Sequence, residues 1–547
     1  MRESLHPAVH SVEKESVSDM QRKLLLTSVF KPFGVDDAFG RKENVFELMK
    51  NQVTRAQEAF SIRSHNRSFG LSLMALNIET PTTVLDFPTQ DEFMQELRRG
   101  HYSHVGISFI VPSFEKAAHM AKLVRLHSPW SKIILGGHGV SIAETERLIE
   151  HDEICRGDGV TWLRSYFGER VGAPIEHPIM RLAFNSRLFG LPIPNAKAIL
   201  IPAVGCPGRC DFCATSHFFQ GATEYFPDPE SLFATMCHIS DTLKTHEFFV
   251  LDEIFLKNAD RARALAALMR RHGRRFQLDI FSSLESLAAL PLQTLIELGI
   301  NFVWIGIESK DDLYAKTRGL DARRIIGDLR RHGISPLTSG ILFMDHHTPD
   351  NIDAEIDHLI SLQPDFIQFM ELAPYPGTAL YKKLEAQKRI RSEVPYQEWH
   401  GQDQIWFRHP HFTPQRSKEI LDEAFEREYQ ALGPSLLRMA ETRLLGVENG
   451  VFCPGDAFLE ARYRDLETIA KRLMPLLPVC ERLAPNERVR ARARVLIERY
   501  QRRFGPPSLL QSALSLTAAF CARREKRHLR LNLPPLQPQT FIERFRH

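Results

Sequence analysis

The sequence has no long hydrophobic run and few cysteines. No apolar stretch reaches the roughly 20 residues that a membrane-spanning helix requires, and the first 20 residues are too polar and charged for a secretory leader. Eight of the 547 residues are cysteine, which argues against a disulfide-stabilised scaffold. The hydrophobic and charged fractions are those of an ordinary globular protein. We therefore predict a cytoplasmic protein with several domains.

Charge is nearly balanced over the whole chain but not in its carboxyl-terminal part. The net charge is +3, whereas residues 481–547 contain 15 Lys and Arg against 5 Asp and Glu. Two basic clusters, 488–494 and 522–530, flank the apolar stretch 508–520. This combination suits peripheral contact with an anionic inner membrane surface, although a helical cap with its apolar side packed on the protein explains it equally well. Nucleic acid is a weaker candidate partner, because no aromatic residues are interleaved to stack on bases.

Three cysteines stand close together in the string GCPGRCDFC, residues 205–213. The separations between Cys206, Cys210 and Cys213 suit thiolates that converge on one metal ion or cluster. A structural zinc ion usually takes four protein ligands, and so does a four-iron cluster held by cysteines. Asp211 and His217 could complete a zinc site, whereas a cluster with only these three ligands keeps one iron open.

The C-x3-C-x2-C spacing of this triplet resembles the signature of the radical S-adenosylmethionine (SAM) enzymes. The resemblance implies a 4Fe-4S cluster on Cys206, Cys210 and Cys213, whose open iron binds the amino and carboxylate groups of SAM. It also implies that Phe212 packs near the adenine. An electron donor such as flavodoxin or ferredoxin would then serve the cluster.

Apolar runs alternate with helical patterns from residue 198 onwards. These runs predict buried parallel strands at 198–204, 248–253, 276–283, 302–309, 337–344 and 366–378. The first strand delivers the cysteines to the loop at its end, which is where barrel chemistry is found. Six strand and helix units predict a partial (β/α)6 TIM-type barrel rather than a full ring of eight.

Polar residues follow the predicted barrel strands, where enzymes of this family contact SAM. The resemblance implies that Asp252 and Glu253 pair with the SAM amino group and that Glu308 accepts from the ribose hydroxyls. Supporting SAM contacts are assigned to Ser282 or Ser283, Arg318 and Gly340. Arg318 could pair bidentately with the SAM carboxylate. The alternative for each is an ordinary strand-end or surface residue.

The fifth predicted strand departs from the family pattern. It runs into Asp345, His346 and His347 instead of a glycine-containing turn. Histidine titrates near neutrality, so these side chains could bind substrate or carry a proton. They could equally form a solvated turn before the next helix.

Strands and helices also alternate before the barrel. Strands at 24–30, 82–87, 104–114, 132–141 and 153–159 predict a doubly wound parallel sheet with a ligand across its carboxyl ends. Glycines at such ends let a backbone approach a flat or anionic ligand, although a bare turn is the alternative. The long polar connection 33–79, with His65, Asn66 and Arg67, either faces the ligand or forms a solvated helical excursion.

A doubly wound domain directly before a radical SAM barrel resembles the cobalamin-binding class of that superfamily, the class B methyltransferase-like enzymes. This group includes the anaerobic Mg-protoporphyrin cyclase and the hopanoid methylases. The resemblance implies that Ser108, Gly136 and Gly137 contact cobalamin. A relict domain of the same fold that no longer binds cobalamin is the alternative.

The predicted α/β architecture divides the chain into five parts. They are a polar tail at 1–20, a Rossmann-like cobalamin-binding domain at 21–185, a radical SAM barrel at 186–385, a barrel extension at 386–430 and a helical basic domain at 431–547. The resemblance implies a cobalamin-dependent methyltransferase that acts on an unactivated sp3 carbon of a lipid, natural product or other small molecule. Two alternatives stay open: a radical SAM cyclase, oxidase or carbon–carbon coupling enzyme without methyl transfer, and a non-catalytic cobalamin-binding sensor or carrier.

Overall fold

The computed structural model describes residues 22–44, 49–194, 196–311, 317–450, 455–531 and 535–545. The predicted polar tail at 1–20 lies outside these ranges. The strands, in chain order, are β1 (Leu24–Thr27), β2 (Arg63–Asn66), β3 (Thr82–Asp86), β4 (His104–Ser108), β5 (Lys132–Gly136), β6 (Glu153–Ile154), β7 (Ala183–Leu188), β8 (Leu191–Pro192), β9 (Ala198–Leu200), β10 (Ala203–Gly205), β11 (Ala222–Glu224), β12 (Glu247–Val250), β13 (Gln277–Ser282), β14 (Ile300–Glu308), β15 (Ser335–Leu342), β16 (Phe366–Glu371) and β17 (Phe541–Phe545).

Helices connect and cover these strands. In chain order they are α1 (Met49–Thr54), α2 (Phe69–Leu76), α3 (Gln90–Gly100), α4 (Phe114–His127), α5 (Thr145–Leu148), α6 (Gly159–Phe167), α7 (Ala214–Phe218), α8 (Pro229–Leu243), α9 (Ala259–Arg271), α10 (Leu284–Ala288), α11 (Leu292–Leu298), α12 (Ala322–Arg331), α13 (Ile352–Ser361), α14 (Ala379–Ala386), α15 (Pro414–Leu432), α16 (Ser435–Glu448), α17 (Ala457–Leu473), α18 (Leu477–Arg482), α19 (Glu487–Phe504) and α20 (Leu509–Arg530).

The first sheet has the order β17-β3-β1-β4-β5-β6 within the described ranges. β1 lies between β3 and β4, so the winding direction reverses there and the sheet is doubly wound, as predicted. Strands β3, β1, β4, β5 and β6 run parallel. Leu24 and Leu25 point to opposite faces and both are fully buried, because helices cover both sides of the sheet. The carboxyl ends of β4 and β5 form one edge.

The first sheet takes its last strand from the far end of the chain. β17 runs antiparallel to β3, with Phe541 opposite Asp86 and Phe545 opposite Thr82. Its Arg544 forms an ion pair with Glu96 on α3 at 3.0 Å. The carboxyl-terminal region is therefore not helical throughout, because its final strand belongs to the amino-terminal sheet.

The second sheet confirms the partial barrel, with the parallel order β16-β15-β14-β13-β12-β9 in the part of the chain that the structure describes. The prediction of a single strand over 198–204 was wrong. Pro202 interrupts it, because proline cannot donate a ladder hydrogen bond. β9 therefore stays in the barrel, while β10 turns away and pairs antiparallel with β11.

The long polar connection at 33–79 leaves the first domain and packs on the barrel. Val53 on α1 packs with Leu337 and Phe366 of the barrel strands. Beyond α1, β2 pairs antiparallel with β7. Arg55 places its guanidinium 4.3 Å from the ring centroid of Phe425 on α15. The connection thus covers β16, an edge strand of the partial barrel.

A helical bundle follows the barrel and confirms the predicted helical region as far as α20. Side chains from α16 to α20 share one apolar core. Arg330 on α12 pairs with Glu441 on α16 at 2.8 Å, which ties the bundle to the barrel. Among the described residues, the helices are too short or too polar to cross a lipid bilayer.

Candidate functional site at the facing edges of two sheets

The three clustered cysteines lie on a loop that a short hairpin holds in place. The loop leaves β10 and returns in β11, and the Cys206 N–H donates to the Gly221 carbonyl at 2.9 Å. Gly205 has a φ of +80°, and a Cβ at this position would overlap the Gly221 carbonyl oxygen. Only glycine therefore fits directly before Cys206.

A backbone hydrogen bond holds two of the cysteines of this loop close together, because the Cys213 N–H donates to the Cys210 carbonyl at 3.1 Å. Burial, together with smaller contributions from the neighbouring Cys213, Glu253 and Cys210, raises the pKa of the Cys206 thiol to about 11, while a hydrogen bond from the Gly208 backbone opposes the rise. Binding to a cation would offset this penalty on the thiolate. Among the described residues, no three Cys, His, Asp or Glu side chains are already grouped as a metal site. This holds for the three cysteines as well as for Asp211 and His217, so the cluster and the zinc site both stay predictions.

The two acidic residues after β12 have different surroundings. Asp252 accepts from Arg261 at 2.9 Å and from the Ile254 N–H at 3.1 Å. Glu253 makes no hydrogen bond or ion pair with any described residue. Its side chain keeps solvent contact, yet surrounding protein and the charge of Asp252 raise its pKa to about 7. Glu253 is therefore the carboxylate that is available to a cationic ligand, which fits the amino group of SAM.

Glu308 ends β14 in a left-handed conformation, with a φ of +62°. Its residue surface is 7% exposed. The following turn is fixed by Glu355 on α13, which accepts from the Lys310 N–H at 2.7 Å and from Ser309 Oγ at 3.2 Å. A strained residue at a strand end indicates a functional position when its surroundings hold it so firmly. Its contact with ribose stays a prediction.

The other predicted SAM contacts have distinct environments. Ser282 is buried at the end of β13, while Ser283 caps α10 by accepting from the Ser286 N–H at 3.2 Å. Arg318 is exposed, and Phe212 packs against the barrel core. A Cβ on Gly340 would overlap Leu359 on α13, so helix packing already requires glycine there. The SAM contacts of these residues stay predictions.

Asp345 and His346 lie in a turn, whereas His347 is buried, and a role of these side chains in substrate binding or proton transfer stays a prediction. Buried His347 accepts from the Met344 N–H through Nδ1 at 3.0 Å, and its Nε2 lies 3.7 Å from Glu355. Asp345 pairs with Arg389 at 2.7 Å, and His346 lies 3.5 Å from Asp311. The contact with Glu355 joins this segment to α13, and the other two pairs join it to the segments around Arg389 and Asp311.

The predicted glycine-rich edge of the first sheet is partly filled by a phenylalanine. Ser108 and Gly136 lie side by side at the ends of β4 and β5. Gly137 has a φ of +83°, and a Cβ on it would press on the Phe109 backbone, while a Cβ on Gly139 would overlap the Phe109 ring. Gly136 has no such neighbour. Glycine is thus required at 137 and 139 because Phe109 packs against these positions. Around Ser108 and Gly136 the edge of the sheet stays accessible.

His138, which sequence analysis missed, joins this edge to the cysteine loop. Its ring stacks on Phe218 of α7 with centroids 4.6 Å apart. Burial lowers the pKa of His138 to about 4, and its Nε2 has no hydrogen-bond partner among the described residues. The imidazole is therefore neutral. A shielded, unsatisfied nitrogen between two sheet edges fits a polar group of a bound cofactor, such as an amide of cobalamin. Its position in the glycine-rich string GGHG, residues 136–139, was the available signal.

Further contacts bring the carboxyl edges of the two sheets face to face. The Leu380 N–H, after β16, donates to the Asp211 carbonyl in the cysteine loop at 2.9 Å. A Cβ on Gly377 would lie 3.2 Å from the Cβ of Ser141, which follows β5. Tyr396 donates to Glu144 at 3.0 Å. The cysteine loop is thus bordered by both domains.

A buried carboxyl at the end of β16 lacks partners. Glu371 is 1% exposed, and neither carboxyl oxygen accepts a hydrogen bond from a described residue. The nearby Ser417 hydroxyl donates to the Pro414 carbonyl at 2.7 Å instead. Burial is the main cause that raises the pKa of Glu371 to about 8. The negative charge of Asp403 also raises this pKa, whereas the positive charge of Arg55 lowers it. Glu371 is therefore protonated at neutral pH.

The cysteine loop, Glu253 and Glu308 lie in a region of the chain that matches a known protein family. Residues 200–359 match the family model described as the Radical SAM superfamily. An uncharacterized methyltransferase from Pyrococcus horikoshii is 24% identical over 247 residues, which cover 43% of this chain and 53% of that protein. The chain thus spans about half the length of the curated relative that it matches.

Two solved structures give matches over most of this chain. The radical SAM methyltransferase TsrM from Kitasatospora setae, solved with cobalamin and a 4Fe-4S cluster bound, gives a TM-score of 0.50 at 14% identity. The match covers 83% of this chain and 99% of TsrM. The cobalamin-dependent SAM radical enzyme OxsB, solved with aqua-cobalamin, gives 0.45 at 14% identity and covers 94% of this chain and 81% of OxsB. The likeness to TsrM confirms the predicted architecture of a doubly wound sheet followed by a partial barrel.

Proposed function

Because the chain carries a radical SAM domain at residues 200–359, we propose that it is an enzyme that cleaves SAM reductively and uses the resulting radical on a substrate. The observation that carries this proposal is geometric: the cysteine loop follows β9, the unpartnered Glu253 follows β12, and these two strands are paired neighbours in the barrel sheet. When bound, a 4Fe-4S cluster supplies one electron that breaks the C5′–S bond of SAM, which yields methionine and a 5′-deoxyadenosyl radical.

The residues of the barrel edge would divide the binding of cluster and SAM between them. The thiolates of Cys206, Cys210 and Cys213 would hold the cluster, and Glu253 would accept the SAM amino group. Asp252 has a supporting task, because its ion pair with Arg261 fixes the chain beside Glu253. The SAM contacts proposed for the remaining residues are those of Phe212, Ser282, Glu308, Arg318 and Gly340.

We further propose that cobalamin binds between the edge of the first sheet and α7. Ser108 and Gly136 form the accessible part of that edge, Gly137 continues it, and His138 presents Nε2 there. Bound cobalamin would supply a methyl group, so the product would be methylated at an unactivated sp3 carbon of a lipid or natural product. The P. horikoshii relative and TsrM are both described as methyltransferases, which supports methyl transfer. A flavodoxin or ferredoxin in the cytoplasm would supply the electron.

One observation favours a second candidate function. Phe109 fills the space above Gly137 and Gly139, where a flat ligand could otherwise approach the backbone. A first domain that has lost cobalamin would leave a radical SAM cyclase, oxidase or coupling enzyme without methyl transfer.

Anaerobic purification after expression with added cobalamin tests both proposals. About four irons and one cobalt per chain, with formation of 5′-deoxyadenosine from SAM, are expected for the methyltransferase. Iron without cobalt would select the second candidate. The variant Cys210→Ala should lose most of its iron and all SAM cleavage, whereas Cys237→Ala, a partly buried thiol on α8, should keep both. Equal SAM cleavage by the two variants would refute the assignment of the cluster.

A further inference from the structure

Helix α20 buries only one of its sides. Its buried side consists of small residues that pack into the bundle core: Ser515, Ala518, Ala519 and Ala522. The opposite side carries Leu509, Leu516 and Phe520, which are 92%, 60% and 69% exposed. Their spacing of i, i+7 and i+11 places them along a single stripe of the helix. The sequence is compatible with packing of this apolar stretch on the protein. In the structure, however, its large side chains are exposed.

Two more leucines widen the apolar part of the stripe. Leu510 and Leu514 are 71% and 50% exposed and lie beside Leu509 at the start of the helix. Exposed apolar side chains are common singly on a protein surface, but a contiguous group marks an interaction site. The amino-terminal half of α20 therefore presents an apolar patch to its surroundings.

Arginines continue the same stripe in the second half of the helix. Arg523, Arg524 and Arg527 follow Phe520 at helical spacing, and all three are exposed. None of their guanidinium groups makes a hydrogen bond or an ion pair with the residues that the structure describes. The charged residues on the other side of α20 are paired instead, Lys526 with Glu58 at 2.5 Å and Glu525 with Arg63 at 3.5 Å.

The other basic cluster of this region differs, because several of its charges are neutralised within the protein. On α19, Arg492 pairs with Glu441 at 2.5 Å and Arg494 pairs with Glu481 at 2.7 Å. Arg490 also pairs with Glu487, one turn earlier on the same helix. Arg523, Arg524 and Arg527 on α20 are therefore available to bind an external anion. Several arginines at 488–494, by contrast, form ion pairs within the protein.

We propose that α20 docks the protein onto an anionic lipid bilayer. The apolar half of the helix would enter the boundary between headgroups and acyl chains, and the arginine half would meet lipid phosphates. Apolar and basic residues succeed one another along the axis of a helix about 33 Å long, so the helix would lie tilted, with its amino-terminal end deeper. This proposal goes beyond the proposed reaction and does not depend on it.

The same distribution of residues disfavours a second copy of the chain as the partner that binds the exposed side of α20. An antiparallel pairing of two α20 helices would set the leucines of one against the unpaired arginines of the other. A parallel pairing would bring the arginines together, and like charges repel. An anionic bilayer satisfies both halves of the stripe at once.

Co-sedimentation of the full chain with vesicles tests the proposal. We expect binding to vesicles in which about a third of the lipid is phosphatidylglycerol, and weak binding to pure phosphatidylcholine. The double variant Leu509→Glu/Phe520→Glu should weaken partitioning at least about ten-fold. The variant Arg523→Glu/Arg524→Glu should weaken it by about five-fold or more for each charge removed, and salt should weaken the binding of the unaltered chain.

Matched substitutions elsewhere control for general effects of charge. Leu126→Glu and Arg99→Glu alter exposed residues on α4 and α3 and should leave vesicle binding unchanged. Circular dichroism should show that every variant keeps its helices, since the altered side chains face solvent. Equal binding by the α20 variants and the controls would overturn the proposal. The proposal would also be overturned if the chain did not bind anionic vesicles but formed dimers, and if the variant Leu509→Glu/Phe520→Glu dissociated those dimers.

Discussion

The imidazole of His138 stacks on the ring of Phe218, with centroids 4.6 Å apart. His138 lies in the loop after β5, and Phe218 lies in α7, which begins directly after Cys213. One ring contact thus links the ligand edge of the first sheet to the cysteine loop of the barrel. The two candidate binding edges are therefore neighbours at this contact.

Replacing His138 by phenylalanine tests this link. The variant keeps a ring to stack on Phe218 but loses the unpartnered Nε2. If that nitrogen binds an amide of cobalamin, the affinity for cobalamin should fall about ten-fold, while the iron content stays unchanged. Titration followed by absorbance measures the affinity. His127→Phe, at the far end of α4, is the control, and an unchanged affinity in His138→Phe would exclude the proposed contact.

Replacing Gly205 by alanine should release the cysteine loop. A Cβ there would overlap the Gly221 carbonyl oxygen in a backbone conformation that already disfavours alanine. We expect less than about half of the normal iron content and a lower thermal midpoint. Gly168→Ala is the matched control, because Gly168 has a φ of +75° but no atom near its Cβ position. It should lose about 1 kcal/mol of stability and no iron; similar iron loss in both variants would show that strain alone is responsible.

Replacing Glu355 by alanine should weaken SAM binding without removing iron. This carboxylate holds the turn after Glu308 through the Lys310 N–H and Ser309 Oγ, so its loss lets Glu308 leave its left-handed conformation. We expect the dissociation constant for SAM to rise about ten-fold or more. Isothermal calorimetry of the iron-loaded protein measures it. Asp353→Ala, an exposed position on the same helix, should bind SAM normally; normal binding by Glu355→Ala would count against a role for Glu308.

Glu371 makes the stability of the protein depend on pH. The folded state raises its pKa from 4.5 to about 8, so between these values the folded protein holds a proton that the unfolded chain has released. The free energy of unfolding therefore falls as pH rises, by up to about 1.4 kcal/mol per pH unit. Glu371→Gln should remove this dependence and melt above the unaltered protein, with a gap that widens from pH ~5 to pH ~8. Glu115→Gln, on the exposed side of α4, should melt in parallel with the unaltered protein; parallel curves for Glu371→Gln would show that Glu371 ionises normally.

The sequence predicted those parts of the fold that depend on local patterns. Buried parallel strands need successive apolar residues, so β1 and β14 were recognisable, and so was the cysteine loop from its spacing. Pairings between distant segments leave no such pattern. The burial of residues 541–545 alternates along the strand, but their sequence, FIERF, does not alternate apolar and polar residues, and nothing in it identifies β3 as the partner. The role of Phe109 depends on a contact between two loops, which local spacing does not encode.

The residue types at the candidate site could be read from the sequence, but the surroundings of each side chain could not. Asp252 and Glu253 are equivalent in sequence, and only Arg261, nine residues further on, separates a structural carboxylate from an available one. The partners of Asp345, His346 and His347 likewise leave no trace in the local sequence. His138 was hidden because its flanking glycines explained the string by themselves.

The pairing of β17 with β3 also sets the order of events during synthesis. On the ribosome, β1, β3, β4 and β5 emerge early, but the outer edge of β3 keeps open hydrogen-bonding groups until β17 has been translated. Nascent first domains would carry an unprotected strand edge throughout translation of the barrel and the bundle, which is the kind of surface that chaperones bind and that aggregates form through. Pairing of residues 541–545 with β3 closes that edge. The first sheet can therefore be completed only after nearly all of the described residues have been translated.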